Sequence, residues 1–224
     1  MHARAVVIAS GVTYRKLGVE SVDSLVGSGV NYGAAMTAAR EMEGYDVFVV
    51  GGGNSAGQAA IHLARFARSV TILVRRPDLS ATMSAYLIGE IEFNPRITVE
   101  GCRQVVDGGG NGRLEWIEVE DTSTGERTRR EAAGLFLLLG AVAHCDWLPA
   151  EVARDPRGFV LTGRDVPSAG WEGGLPPENL QTTVPGIFAV GDIRAGSMKR
   201  VASASGEGAS VVPLVHTWLE PAPG

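Results

Sequence analysis

The chain has 224 residues, 45% hydrophobic and 20% charged, with a formal net charge of −5. That length buries one or two domain cores, and the acidic balance argues against a general nucleic-acid or membrane-surface partner. No apolar run reaches the roughly 18 residues a membrane span needs, Met1 to Ser10 lacks the charged–apolar–small order of a signal peptide, and two cysteines, Cys102 and Cys145, give neither a disulfide framework nor a multi-cysteine zinc site, so a cytoplasmic protein is expected.

In chain order, Ala5 to Ala9 reads as a buried strand stopped by Ser10-Gly11. Residues 12–32 read as a loop-rich connector, and Asn31 to Met42 as an Ala-rich helix. A second buried strand, Asp46 to Val50, runs into Gly51-Gly52-Gly53-Asn54-Ser55-Ala56, and apolar groups at Ala56, Ala59, Ala60, Leu63 and Ala67 then mark one helix face. Ser69 to Val74 is the next strand, ending at Arg75-Arg76-Pro77, and Ser80 to Ile91 is helical. Ile97 to Val106 and Leu114 to Val119 read as strands joined by a hairpin at the glycine-rich 107–112. Ala133 to Leu139 is a further apolar strand. Proline and glycine loosen 163–178, Val184 to Asp192 firms up again, and a last helix covers about 201–219.

The strongest chemical signal is Gly51-x-Gly53-x-x-Ala56 between a strand and an amphipathic helix, with another strand following. Gly51 permits the tight turn, Gly53 lets backbone approach a pyrophosphate, and Ala56 allows close helix–strand packing. Free N–H groups and the helix dipole hold the phosphates, and Asn54 or Ser55 is positioned to cap the helix. Gly52 completes the turn. An NAD site wants an acid at the end of the second strand. This chain has Arg75 and Arg76 there, and guanidinium groups pair with a 2′-phosphate that a carboxylate would repel. The cofactor expected is NADPH.

These residues resemble a known family. Val49 to Ala56 followed by Val74-Arg75-Arg76 is similar to the NADPH domain of bacterial thioredoxin reductases, and Val184 to Asp192 resembles the family's second flavin motif, whose Asp contacts the FAD ribitol. Val7 to Gly11 resembles its short strand-to-loop FAD motif, and Lys199-Arg200-Val201 stands where the family sets groups against the isoalloxazine ring. Gly51 to Ala60 and Lys199 to Gly208 are most similar to members fused to cyclic-nucleotide-binding or receiver domains. The resemblance implies an α/β, Rossmann-like FAD/NAD(P)-binding fold of three layers with a small antiparallel β-meander, plus the C-terminal half of an FAD domain. It implies FAD beside NADPH, with Ser10, Gly11, Gly191, Asp192, Lys199, Arg200 and Val201 at the flavin. Residues 1–17 are then the tail of an FAD domain, 18–140 the NADPH domain, and 141–224 the C-terminal half of the FAD domain. A homodimer and a small-molecule or protein electron acceptor follow, with an upstream FAD-binding half and a regulatory domain as further expected parts.

Two departures stand out. The family's redox Cys-x-x-Cys falls where this chain has Gly33-Ala34-Ala35-Met36, and thiolate exchange needs sulfur at that spacing. The N-terminal Gly-x-Gly-x-x-Gly that cradles the FAD pyrophosphate is also missing, which leads one to expect roughly a hundred residues upstream, by comparison with a complete dinucleotide-binding half. His144-Cys145-Asp146 sets three donors side by side, but adjacent residues rarely converge on one metal, so no metal is expected. The reading is hydride transfer from NADPH to FAD and onward to an unassigned acceptor without the usual dithiol. Its rivals are a non-catalytic NADPH-sensing module and a flavin-dependent NADP reductase serving a ferredoxin-like carrier.

Overall fold

A computed structural model of the chain describes residues 3–33, 36–171 and 173–220, with the side chain of Met36 left undescribed. In chain order the first elements are β1 (Val6–Ile8), β2 (Val12–Tyr14), α1 (Glu20–Asp23), β3 (Val30–Tyr32), α2 (Met36–Glu41), β4 (Asp46–Val50), α3 (Asn54–Leu63), β5 (Ser69–Leu73) and α4 (Ala85–Phe93). Then come β6 (Ile97–Glu100), β7 (Arg103–Gly109), β8 (Trp116–Asp121), β9 (Arg127–Glu131), β10 (Gly134–Leu137), β11 (Ala141–Ala143), β12 (Ile187–Ala189) and α5 (Val201–Leu219). They form two compact units, Arg15–Gly140 and the combination of Met1–Tyr14 with Ala141–Gly224.

In the 15–140 unit a five-stranded parallel sheet has the order β3-β10-β4-β5-β6. Parallel strands buried on both faces read as continuous apolar runs, and Val47 to Val50 is one. Alternate residues then divide between two cores. Val47, Val49, Val70, Ile72 and Phe136 face α3 and α4, burying Ala56, Ala60, Leu63, Leu87 and Ile91. Phe48, Val50, Leu73, Leu135 and Leu137 face the antiparallel meander β7-β8-β9, packing on Val105, Ile117 and Val119. The result is three layers: helices, parallel sheet, meander. Each fully buried Val, Leu, Ile or Phe contributes about 1.5–3 kcal/mol, so this double-faced core holds the strand ends, and the turns leaving them, in place.

The second unit is built from a parallel pair β1–β12, an antiparallel pair β2–β11 and the 19-residue α5. One cluster gathers Ile8, Cys145, Val152, Phe159, Val160 and Ile193, and another gathers Leu180, Phe188, Val190 and Val211. The Trp218 indole N–H donates to the Arg4 carbonyl at 2.8 Å, which ties the end of α5 to the segment leading into β1.

Several expectations are corrected. The 12–32 connector contains β2, α1 and β3. Asn31 and Tyr32 belong to β3, and the helix expected from Asn31 begins at Met36; Ala34 and Ala35 lie outside the described residues. The single strand at 97–106 is two strands, broken at Gly101–Cys102, where Cys102 takes φ +54°. The hairpin turn sits later than 107–112: β7 runs on to Gly109 and β8 starts at Trp116, with Leu114 turned into the core instead. The helix expected from Ser80 starts at Ala85. The charged strand β9 had no counterpart among the expected elements.

Candidate functional site

Strands β4, β5 and β6 run outward in one direction from β4, while β10 and β3 lie on its other side. The order therefore reverses at the β4–β10 boundary, and in open parallel sheets ligands settle in the crevice beyond the carboxyl ends of strands at that reversal. Gly51 to Ala56 leaves β4 there. Gly51 has φ +145°, and a Cβ on it would fall 2.5 Å from the Leu138 carbonyl oxygen, just past β10. Glycine is thus required at 51 by conformation and by space. Its N–H donates to the Leu73 carbonyl at 3.2 Å.

Gly53 differs. Its φ is −95°, and the nearest atom to a Cβ there would be the Thr82 carbonyl oxygen at 4.0 Å, so the fold's own packing does not demand glycine at 53. Among the described residues nothing accepts the N–H groups of Gly52, Gly53, Asn54 or Ser55, which cluster at the start of the ten-residue α3. Four free donors beside a side-chain-sized space at the positive end of a helix fit a pyrophosphate. Ala56, fully buried, packs α3 onto the sheet.

The capping expectation is corrected. Gly53 is the N-cap of α3 and no side chain caps it. The Asn54 carboxamide is occupied elsewhere: its Oδ1 accepts the Ser84 N–H at 2.8 Å, and its Nδ2 donates to Ser84 Oγ at 2.8 Å. Thr82 Oγ1 donates to the Gly52 carbonyl at 2.7 Å. Sequence reasoning passed over Thr82 and Ser84; the available signal was a hydroxyl-rich stretch between the arginine pair and the next helix.

Arg75 and Arg76 follow β5, the strand paired with β4 in the register Val50↔Leu73. Both are exposed, and among the described residues neither guanidinium has a hydrogen bond or ion pair. The carboxylate of Asp78, nearby in sequence, is turned onto Ser80, whose hydroxyl and backbone N–H hold its pKa below the ordinary value.

In the second unit, Gly191 at φ +75° starts a short 3-10 turn after β12, and Asp192 is half-buried. The turn is held by Glu207 of α5. Its carboxylate accepts the Gly191 N–H at 2.7 Å and the Arg194 guanidinium at 3.3 Å and 2.5 Å. Burial pushes the Glu207 carboxyl up, but Arg194 and the Gly191 N–H outweigh it and hold the group below its ordinary pKa. Sequence reasoning missed Glu207 and Arg194, because a Glu within a small-residue helix reads as surface charge. Lys199 Nζ lies 4.3 Å from the centre of the Phe159 ring, and burial lowers its pKa against an opposing pull from Asp192. Arg200 is the N-cap of α5, and Val201, 89% exposed, is its first residue. Ser10 is exposed and Gly11 takes φ +64° after β1. In the 144–146 triplet, His144 Nε2 meets Thr13 Oγ1 at 2.6 Å while Cys145 faces the core, where burial raises its thiol pKa.

Strand, glycine turn and helix at the reversal point of a parallel sheet define a Rossmann-like dinucleotide fold. Residues 1–208 match the family profile described as pyridine nucleotide-disulphide oxidoreductase, and the chain belongs to that family. It is 32% identical over 225 residues to a thioredoxin reductase of Peptoclostridium acidaminophilum, covering 97% of this chain and 66% of that protein. It is 31% identical to the thioredoxin reductase of Bacillus subtilis (strain 168), covering 97% and 64%. The structure of thioredoxin reductase from Streptococcus pyogenes MGAS5005 superposes with a TM-score of 0.74 at 28% identity, over 96% of this chain and 65% of that one. The chain therefore spans about two thirds of the length of these relatives. Among the described residues no helix is long and apolar enough to cross a membrane.

Proposed function

We propose that the 18–140 region binds NADPH and that the chain is the NADPH-handling part of a thioredoxin-reductase-like flavoprotein oxidoreductase. The observation that carries this reading is the pairing of four N–H groups at Gly52 to Ser55 with two arginines at the ends of adjacent parallel strands, all without a partner among the described residues. In this role Gly51 shapes the turn, Gly53 leaves room for the pyrophosphate, and the N–H groups of Gly52 to Ser55 neutralise it. Arg75 and Arg76 take the 2′-phosphate, each charge-assisted hydrogen bond contributing about 1.5–3 kcal/mol.

The second unit, Met1–Tyr14 with Ala141–Gly224, is read as part of an FAD domain; residues 15–17, expected with it, belong to the 15–140 unit. FAD, when bound, supplies the acceptor for the nicotinamide's hydride. The residues present suit one end of a flavin: Gly191 and Asp192 on a braced turn, Lys199 and Arg200 before α5, and the N–H groups of Val201 and Ala202, which have no acceptor among the described residues. Ser10 and Gly11 line the exit of β1. Among the described residues of this unit no glycine turn opens a helix to cradle a pyrophosphate, so the fit covers the flavin end alone. A cytoplasmic homodimer passing electrons to a small-molecule or protein acceptor, by a route other than a Cys-x-x-Cys of this chain, completes the reading.

Calorimetric titration of the full chain tests it. NADPH should bind at least about tenfold more tightly than NADH, as one charge-assisted bond implies, and Arg75→Ala/Arg76→Ala should remove the difference. Equal wild-type affinities overturn the proposal.

A further inference from the structure

The arginine pair lies on an arm, residues 74–84, that links β5 to α4. With no protein partner for either guanidinium among the described residues, the arm's backbone sets where they point. The arm is held at both ends. At its root the Arg103 N–H donates to the Val74 carbonyl and the Cys102 N–H to the Arg76 carbonyl, each at 2.9 Å. Gly101, in the β6–β7 turn, passes so close that a Cβ on it would fall 1.8 Å from the Pro77 carbonyl oxygen. Gly101 does not have a positive φ, so glycine is needed there for the close approach and not for its conformation. At its tip the arm is tied to the glycine turn by Thr82 on Gly52 and by Ser84 on the Asn54 carboxamide.

We infer that Gly101 and Asn54 are positioning residues that set selectivity for a 2′-phosphate, Gly101 without being part of the nucleotide turn and Asn54 through its side chain. This rests on the reading of the turn and the arginines as an NADPH site. Fork-like pairing of guanidinium with phosphate demands fixed geometry, and misplacement by about an ångström is enough to forfeit it. A methyl at 101 must displace Pro77 or the β6–β7 turn, and either movement disturbs the Cys102–Arg76 hydrogen bond. Loss of the Asn54 carboxamide frees the arm's far end. Gly101→Ala acts on the arginines, which NADH does not use; Asn54 also lends its backbone N–H to the turn, so Asn54→Ala is read by the ratio of the two affinities and not by the NADH affinity alone.

The test is calorimetric titration of the full chain with NADPH and with NADH, with thermal melts to confirm folding. Gly101→Ala should cut the NADPH-over-NADH ratio at least fivefold while leaving NADH affinity within about twofold, since the pyrophosphate turn is untouched. Asn54→Ala should lower the ratio in the same direction. Thr82→Val should lower it less, and Thr82→Ser, which keeps the hydroxyl, should restore it. If Gly101→Ala does not fold, Asn54→Ala and the Thr82 pair decide. An unchanged ratio in the folded variants, or an equal loss for both nucleotides, overturns the inference. A wild type with no NADPH preference overturns the underlying reading and this inference with it. A wild type whose preference depends on Arg75 and Arg76 but survives every arm variant sinks this inference alone.

Discussion

Truncating Glu207 to alanine should destabilise the unit built from β1, β2, β11, β12 and α5 by about 3 kcal/mol. Its carboxylate accepts the Gly191 N–H and two Arg194 nitrogens, and both side chains are only 18% exposed. Removal leaves a mostly buried guanidinium without its counter-charge, holding only the Ala195 carbonyl at 3.3 Å, and a buried backbone donor unpaired. Breaking a buried pair from one side costs about 3–5 kcal/mol, and the residual exposure places this case at the lower end. Urea denaturation followed by tryptophan fluorescence is the assay, because Trp147, Trp171 and Trp218 belong to this unit and Trp116 alone to the other. Glu207→Leu combined with Arg194→Met removes both charges and should recover at least half of the loss. The pH dependence has a defined sign. The folded-state pKa of Glu207 lies below its unfolded value, so its contribution is complete above about pH 4.5 and is lost as pH falls through the folded pKa. Glu207→Ala should flatten that acid limb. A loss under about 1 kcal/mol, or a double variant no more stable than Glu207→Ala, would refute the idea that this pair braces the turn.

Gly51→Ala sets a Cβ against the Leu138 carbonyl in a backbone region that side chains avoid; it should cost at least about 2 kcal/mol and weaken NADPH and NADH alike, read by thermal melt and titration. Gly53→Ala meets nothing closer than 4.0 Å and should melt within about 1 kcal/mol of the wild type, yet bind NADPH at least about tenfold more weakly because a methyl stands where the pyrophosphate approaches; full affinity would remove the phosphate from this turn. Cys145 is buried with a raised thiol pKa, and Cys102 is partly exposed. Alkylation at pH 8, followed by mass spectrometry, should therefore modify Cys102 at least about tenfold faster, and equal rates would contradict the buried placement of Cys145.

The β4–α3–β5 stretch was readable because each of its signals is local. An apolar run, a glycine turn and a helical stripe follow one another without reference to the rest of the chain. The elements that escaped depend on distant partners. Strands β2 and β3 have three residues each and pair with β11 and β10, more than a hundred positions further on, so nothing in residues 12–32 announces them. Strand β9, Arg-Thr-Arg-Arg-Glu, lies at the edge of the meander, where charge is how a sheet guards an open edge, and the same charge hides it from a hydrophobic pattern. The break at Gly101–Cys102 escaped because apolar residues lie on both sides of it and a cysteine gives no hint of a positive φ.

At the candidate site, the sequence pattern points to positions more readily than to what holds each residue there. Gly-x-Gly-x-x-Ala marks the turn, but its two glycines are there for different reasons. Gly51 answers to the carbonyl of Leu138, a residue 87 positions away that only the sheet order brings close, while a Cβ on Gly53 would meet no described atom nearer than the Thr82 carbonyl oxygen at 4.0 Å. Asn54 suits helix capping by residue type, yet its side chain bridges to Ser84, because Gly53 already occupies the cap and the arm behind the arginines needs an anchor. Arg75 and Arg76 are legible as charges at a strand end; the device that aims them, the Gly101 turn, lies after the following helix and carries no charge at all. Glu207 is the same case in the other unit, a carboxylate that reads as solvated until Arg194 and the Gly191 N–H are seen on it. Chemistry-bearing residues announce themselves by type, whereas the residues that position them do so by packing, and packing is written in contacts between segments far apart in sequence.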